Sequence, residues 1–187
     1  MKKLSLLAVV AVVLLIPALS QAQVPLTTPR NVTLNASLAE TLSVTLTGVS
    51  TVNFTLAPGA AAAGDNPVGI QSSWVLKPGK TEVKVVGYFD TTNALTDTAD
   101  PTNHIASSTV FGRVTTGVPG SFTAFTGSVA GIGTAGASLL LLDVPINGLN
   151  KNITRTDSLD LQIDLTGAPQ QPAGTYAGVL RIQAIVL

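Results

Sequence analysis

Period-two alternation of apolar and hydroxyl-bearing side chains is the feature that most constrains this chain. From Val32 the even positions read Val32, Leu34, Ala36, Leu38, Glu40, Leu42, Val44 and Leu46. The odd positions read Thr33, Asn35, Ser37, Ala39, Thr41, Ser43 and Thr45. Only an extended strand sends successive side chains to opposite faces, so this stretch has one apolar face and one hydroxyl-rich face. At ~3.3 Å per residue it would reach about 50 Å, far beyond a usual strand. Glu40 falls in the apolar phase and marks the break, with Val32 to Leu38 as one strand and Leu42 to Leu46 as the next part.

The same pattern closes the chain. Tyr176, Gly178, Leu180, Ile182, Ala184 and Val186 form an apolar face opposite Thr175, Arg181 and Gln183, and the run continues to Leu187. Such a strand leaves a row of backbone donors and acceptors at a sheet edge unless another segment pairs with it. Between the two ends, strands are expected at Thr51 to Leu56, Ile70 to Leu76 with Trp74 as a core aromatic, Glu82 to Phe89, Thr109 to Val114 and Ser121 to Phe125. In Glu82 to Phe89, Val83, Val85, Gly87 and Phe89 alternate against Glu82, Lys84, Val86 and Tyr88. Ser138 to Ile146 is apolar apart from Asp143, so its centre is expected to be buried on both faces. Leu159, Leu161, Ile163 and Leu165 alternate with Ser158, Asp160, Gln162 and Asp164, a strand with one wet face. Asp90 to Asn103 has no apolar periodicity and reads as an exposed loop. Thr, Val, Ser and Gly dominate over Glu and Lys, and β-branched residues pack well on a pleated sheet. Short strands between Gly and Pro turn signals give an all-β domain, a sandwich or a barrel.

The first residues set the compartment. Met1-Lys2-Lys3, the apolar run Leu4 to Ala18, and Ser20-Gln21-Ala22 form a signal-peptide pattern cleaved after Ala22. That run falls short of the ~20 residues a membrane span needs. The expected organisation is residues 1–22 as signal peptide, 23–40 as an N-terminal extension or first strand, and 41–187 as a β-sandwich domain. The protein is thereby exported, to periplasm, cell surface or extracellular space. Removing 22 of the 187 residues leaves eight basic and ten acidic side chains, which argues against nucleic acid or an anionic membrane as partner. No later segment is long and apolar enough to span a bilayer. With no cysteine, the domain must hold itself by burial and hydrogen bonds.

The signal pattern, the alternating N-terminal extension, the all-β body and the stretch Pro172-Ala173-Gly174-Thr175-Tyr176-Ala177-Gly178-Val179-Leu180-Arg181-Ile182 together resemble subunits of chaperone–usher pili and related fimbrial proteins. Gly174 coincides with the glycine that family places fourteen residues from its end. The chain departs from the family in having Val186 where an aromatic is usual and in lacking a disulfide. The resemblance implies an immunoglobulin-like sandwich without its final strand, complemented by the extension of the next subunit. Val32, Leu34, Ala36 and Leu38 would be the donor strand, and Gly174, Tyr176, Gly178, Leu180 and Ile182 the acceptor edge. The partners implied are other copies of the chain or related subunits, and a periplasmic chaperone. The competing readings remain open here: Val32 to Leu38 pairs within its own domain, or the chain is a self-contained secreted binding module for a ligand such as carbohydrate.

Catalysis finds no support among the residue types. His104 is the only histidine, and neither a nucleophile elbow nor a converging carboxylate accompanies it. Asp90, Asn93, Asp97, Asp100 and Asn103 concentrate oxygens that calcium favours, but their spacing matches no EF-hand, and Asp and Asn are common turn residues. Asp160 and Asp164 lie ~13 Å apart along a strand, too far for a glycosidase pair. Four Asn-x-Ser/Thr triplets, at Asn31, Asn35, Asn53 and Asn152, are explained by the abundance of Thr. Gly59 to Gly64 and Gly131 to Gly136 lack the lysine of a phosphate-binding loop. The expectation is a non-enzymatic structural or adhesive subunit without cofactor or metal.

Overall fold

The computed structural model describes residues 30–168 and 170–187. The expected signal peptide and residues 23–29 lie outside them. The chain divides into two units, Met1–Ser37 and Leu38–Leu187. In the first, residues 30–37 carry no regular secondary structure, and Val32 and Leu34 are 80% and 87% exposed. Leu38, at the start of the second, is 77% exposed. The strand expected over Val32 to Leu38 is therefore not formed. Alternation supplies the side-chain pattern of a strand, but the strand itself requires a partner's backbone hydrogen bonds.

The second unit is all-β. Its strands are β1 (Thr41–Thr47), β2 (Ala61–Ala63), β3 (Val68–Val75), β4 (Glu82–Tyr88), β5 (Asn93–Asp97), β6 (His104–Ala106), β7 (Val110–Val114), β8 (Thr123–Ala124), β9 (Ser138–Pro145), β10 (Asn152–Asp164), β11 (Tyr176–Ala177) and β12 (Arg181–Val186). One sheet has the order β1-β3-β10-β7-β8, with β2 also on β10. A second has the order β12-β4-β9, and a small third has β11-β5-β6. Every pairing is antiparallel.

The first two sheets enclose one core, in a sandwich-like arrangement. Ile70 and Trp74 of β3 and Leu159 and Ile163 of β10 are buried in the same cluster as Val83 and Val85 of β4 and Leu141 of β9. Phe125, after β8, sits in a slot between the sheets. A Cβ on Gly87 of β4 or Gly112 of β7 would stand 3.2 Å from its ring, so the bare backbone at both positions makes the room. Phe89 meets the same ring edge-on at 5.2 Å between centroids, a favoured aromatic geometry.

Several sequence expectations are corrected here. Thr51 to Leu56 forms only an isolated bridge, Phe54 to Gly64. Asp90 to Asn103 is not simply an exposed loop: it contains β5, whose Ala94 and Asp97 are buried. The alternation of β4 fails at Val86, which is buried although its phase points to the wet face. β4 keeps its inward phase through Val83, Val85, Gly87 and Phe89, and the bulge lies in β9, where Leu142 pairs with Val85 and Leu140 with Val86, leaving Leu141 as the extra residue. The loop after β8 covers that outer face, with Ile132 buried and Gly133 against the Tyr88 ring. In β9, Leu139, Leu141 and Leu142 are buried while Asp143 stays exposed beside Lys84. Finally, Thr175 to Val186 is not one strand. β11 joins the small sheet and β12 the β4 sheet, with Gly178 to Leu180 between them.

Candidate functional site: the seam between β1 and β12

β1 and β12 are edge strands of the two main sheets, and both carry apolar residues that the core only half covers. The register sets Leu42, Val44 and Leu46 of β1 opposite Trp74, Ser72 and Ile70 of β3. Directly opposed residues share a face, so these three point inward. Their β3 partners are 0–2% exposed, yet Leu42 and Val44 are only half-buried and Leu46 is 50% exposed. The mirror case holds on β12, where Ile182, Ala184 and Val186 oppose Gly87, Val85 and Val83 of β4. Val83 and Val85 are fully buried, while all three β12 residues are only partly so.

The two strands run beside each other with Cα atoms within 8 Å, but they are not ladder partners. β1 begins, and β12 ends, at the end of the sandwich where β3 passes into β4. The other long side is laced: Val118 N donates to Leu141 O at 3.2 Å and Val114 N to Pro119 O at 2.8 Å, tying the β7–β8 connection to β9. One side of the sandwich is thus closed by backbone hydrogen bonds, and the other is an apolar seam. Beneath it, Ser72 Oγ is buried with no hydrogen-bond partner among the described residues.

The residues expected to form the acceptor edge fall on two surfaces. Gly174 lies against Asp97, where a Cβ would stand 2.6 Å from the carboxylate. Tyr176 pairs with Asp97 and its hydroxyl donates to Pro172 O at 2.9 Å. Gly178 passes over β5 so closely that a Cβ would lie 2.0 Å from Ala94 O. These three close the small sheet. Leu180 and Ile182 pack against the main core, and Ile182 reaches the seam together with Ala184 and Val186. Of the donor residues, Val32, Leu34, Ala36 and Leu38 are all exposed.

Charges frame the seam rather than fill it. Arg181 Nε, at the start of β12, donates to both Asp90 carboxylate oxygens at 2.8 and 3.0 Å. That contact holds the Asp90 carboxyl below its ordinary pKa and Arg181 above its own. On the outer face of β4, Lys84 pairs with Glu82 at 2.8 Å and Asp143 at 3.3 Å, which raises its pKa.

The remaining candidate residues do not converge. His104 stands on β6 with Nδ1 3.1 Å from Thr102 O. Asp97 accepts from Ala99 N, and Asp100 from Thr102 N, Thr102 Oγ1 and Asn103 Nδ2. Their oxygens serve the turn they sit in. Asp160 binds Arg113 at 2.7 Å, and Asp164 accepts from Thr166 N at 2.8 Å. Sequence reasoning missed the ion pair between Arg155 and the buried Asp157, joined by Thr116. The signal was available, because Arg155 and Asp157 continue the odd phase of Leu159, Leu161 and Ile163 back into the core face. No family model matches the chain, and no curated protein compared with it matches either.

Proposed function

We propose that this chain is an exported structural or adhesive subunit of a cell-surface assembly, held to its neighbours by strand complementation, with an immunoglobulin-like sandwich as the receiving body. The half-buried inward rows of β1 and β12 carry the reading. The strands directly beside them, β3 and β4, have their inward apolar residues buried, and the seam is where one more strand would complete the core. The natural occupant is a segment with four alternating apolar side chains, and Val32, Leu34, Ala36 and Leu38 supply one, exposed and unpaired into any sheet.

Energetics support the match. Burying Val32, Leu34 and Leu38 would contribute ~1.5–3 kcal/mol each before ordering costs. Donor-strand pairing adds main-chain hydrogen bonds along the free edge of β12. Strands flanking an inserted one lie about 9.6 Å apart, twice the usual spacing. β1 and β12 approach within 8 Å, so they must part by about 2 Å or more to admit it. Among the described residues no backbone ladder joins β1 to β12, and side-chain packing opposes this movement.

Deletion of residues 23–38 tests the reading and leaves Glu40, whose carboxylate accepts from Lys77 N, in place. The expected result is a folded body that no longer polymerises but binds a synthetic peptide of residues 31–40. An unfolded body, or undiminished polymers, would overturn it.

A further inference from the structure

The loop between β9 and β10 carries Asn147-Gly148, the only asparagine of the chain that is followed by glycine. In such a pair the glycine nitrogen lies within one residue of the asparagine side-chain carbonyl, and no Cβ crowds its approach. Asn147, Gly148 and Leu149 are all exposed, so water reaches them. Yet the loop is not a floppy tip. Asn147 N donates to Asn150 Oδ1 at 2.7 Å, and Asn150 Nδ2 to Pro145 O at 2.9 Å. Asn150 O in turn accepts from Nε1 of the fully buried Trp74 at 2.8 Å, which anchors the loop to the core.

Within this held loop the reacting atoms are placed for an attack of the chain on itself. Gly148 N, the nucleophile, donates no hydrogen bond among the described residues, and nothing stands within 4 Å of where a Gly148 Cβ would be. The electrophile is polarised, because Leu149 N donates to Asn147 Oδ1 at 2.8 Å, on the oxygen that gathers negative charge as the nitrogen adds. Asn147 Nδ2, the leaving group, makes no hydrogen bond among the described residues. Other asparagines are held differently. Asn53 Nδ2 donates to Asp65 at 2.8 Å, Asn103 Nδ2 to Asp100 at 3.2 Å and Asn150 Nδ2 to Pro145 O, and a side chain follows each of them.

We propose that Asn147 is a self-modification site, where the loop converts its own asparagine to aspartate and isoaspartate with water as the co-reactant. Gly148 N gives up its proton and bonds to Asn147 Cγ. The Cγ–Nδ2 bond breaks, ammonia leaves with that proton, and a cyclic succinimide remains. Water then opens the ring at either carbonyl. Opening at Cγ yields aspartate, whose carboxylate keeps an acceptor for Leu149 N. Opening at the main-chain carbonyl yields isoaspartate, in which the main chain runs through Cγ and gains a CH2 inside the span that Asn150 ties down. That lengthening loosens the Trp74 anchor. Because ammonia is lost, the change runs one way, and it depends on no partner and on no strand exchange.

Full-length protein is incubated at neutral and mildly alkaline pH, then digested, and mass spectrometry follows the exchange of amide for acid at each asparagine. A synthetic peptide of residues 143–152 is treated alongside. Conversion is expected at Asn147 before any other asparagine, with a rate that rises about tenfold per unit of pH because the attacking nitrogen must lose its proton. The folded chain should react about threefold to tenfold faster than the peptide, owing to the fixed Leu149 donor. Gly148→Ala, at a position with open space around it, should fold normally and react at least about tenfold more slowly. Emission from Trp74, the only tryptophan, should change in step with isoaspartate. Slower reaction in the folded chain than in the peptide, an unchanged rate in Gly148→Ala, or earlier conversion at another asparagine would each overturn the assignment. Unaltered Trp74 emission in isoaspartate-bearing protein would overturn the loosening of the anchor.

Discussion

Aspartate at Leu34 separates a donated strand from an ordinary one. Leu34 is 87% exposed, so nothing in the folded body depends on it, and an exposed substitution away from special features changes stability by only about 0.5 kcal/mol. If the segment enters the seam of another copy, the same side chain becomes buried. Losing it forfeits ~1.5–3 kcal/mol of transfer free energy. A carboxylate left without a partner costs about 1–3 kcal/mol more. The combined loss of about 3–6 kcal/mol corresponds to at least a hundredfold in association. Thr33→Asp is the matched control, because it lies one residue away on the hydroxyl-rich face, where a carboxylate stays in water. Static light scattering of assembled protein and urea unfolding of dilute protein should therefore diverge. Leu34→Asp should abolish assembly and Thr33→Asp should not, while both keep the parent's unfolding midpoint. Equal effects of the two substitutions would refute the alternation argument. A loss of more than about 1.5 kcal/mol of unfolding free energy in Leu34→Asp would show that the leucine packs in its own domain.

Three further outcomes follow from the same structure. Gly178→Ala places a methyl 2.0 Å from Ala94 O, a backbone atom that cannot swing aside, so urea unfolding should show a loss of about 1–3 kcal/mol. Ser72→Ala removes a buried hydroxyl that has no hydrogen-bond partner among the described residues and should leave stability unchanged or raise it by about 1 kcal/mol in the same assay; a clear loss would show that the hydroxyl has a partner. Hydrogen bonds from Asn53, Thr102 and Thr166 hold Asp65, Asp100 and Asp164 below their ordinary pKa. Folded-state values below the unfolded ones mean that this stabilisation is complete above the ordinary carboxylate range, near pH 4, and fades as pH falls through the lowered values. The urea midpoint should accordingly stay level from neutral down to about pH 4 and drop below it; a drop beginning near neutrality would contradict the assignment.

How much of this was legible in the residues varies from element to element. Strands β3, β4, β7 and β9 fall where alternation, apolar runs and turn signals put them, and β10 does so over Ser158 to Asp164, because each has a face in the core. The first half of β10, Asn152 to Asp157, carries too few apolar side chains to declare itself. Val86 escaped, since it stays on the outer face of β4 and is buried there by the loop after β8, a covering that period two does not report. β5 escaped because five residues with a polar majority carry too little periodicity to declare a strand. Of the acceptor residues, Tyr176, Leu180 and Ile182 pack against the core as their phase implied, but Tyr176 does so from the small sheet, while Gly174 and Gly178 lie against β5.

The sequence by itself determined the all-β class, most strand positions, the apolar face of each strand and the unguarded alternation at both ends, because these follow from the local geometry of an extended backbone. Tertiary structure alone decided which edges face each other. The split of the C-terminal run at Gly178, the lacing of Val118 to Leu141, and the seam left between β1 and β12 all depend on contacts between residues far apart in the chain. Period two says which way a side chain points, but only the arrangement of the sheets says what, if anything, lies there to cover it.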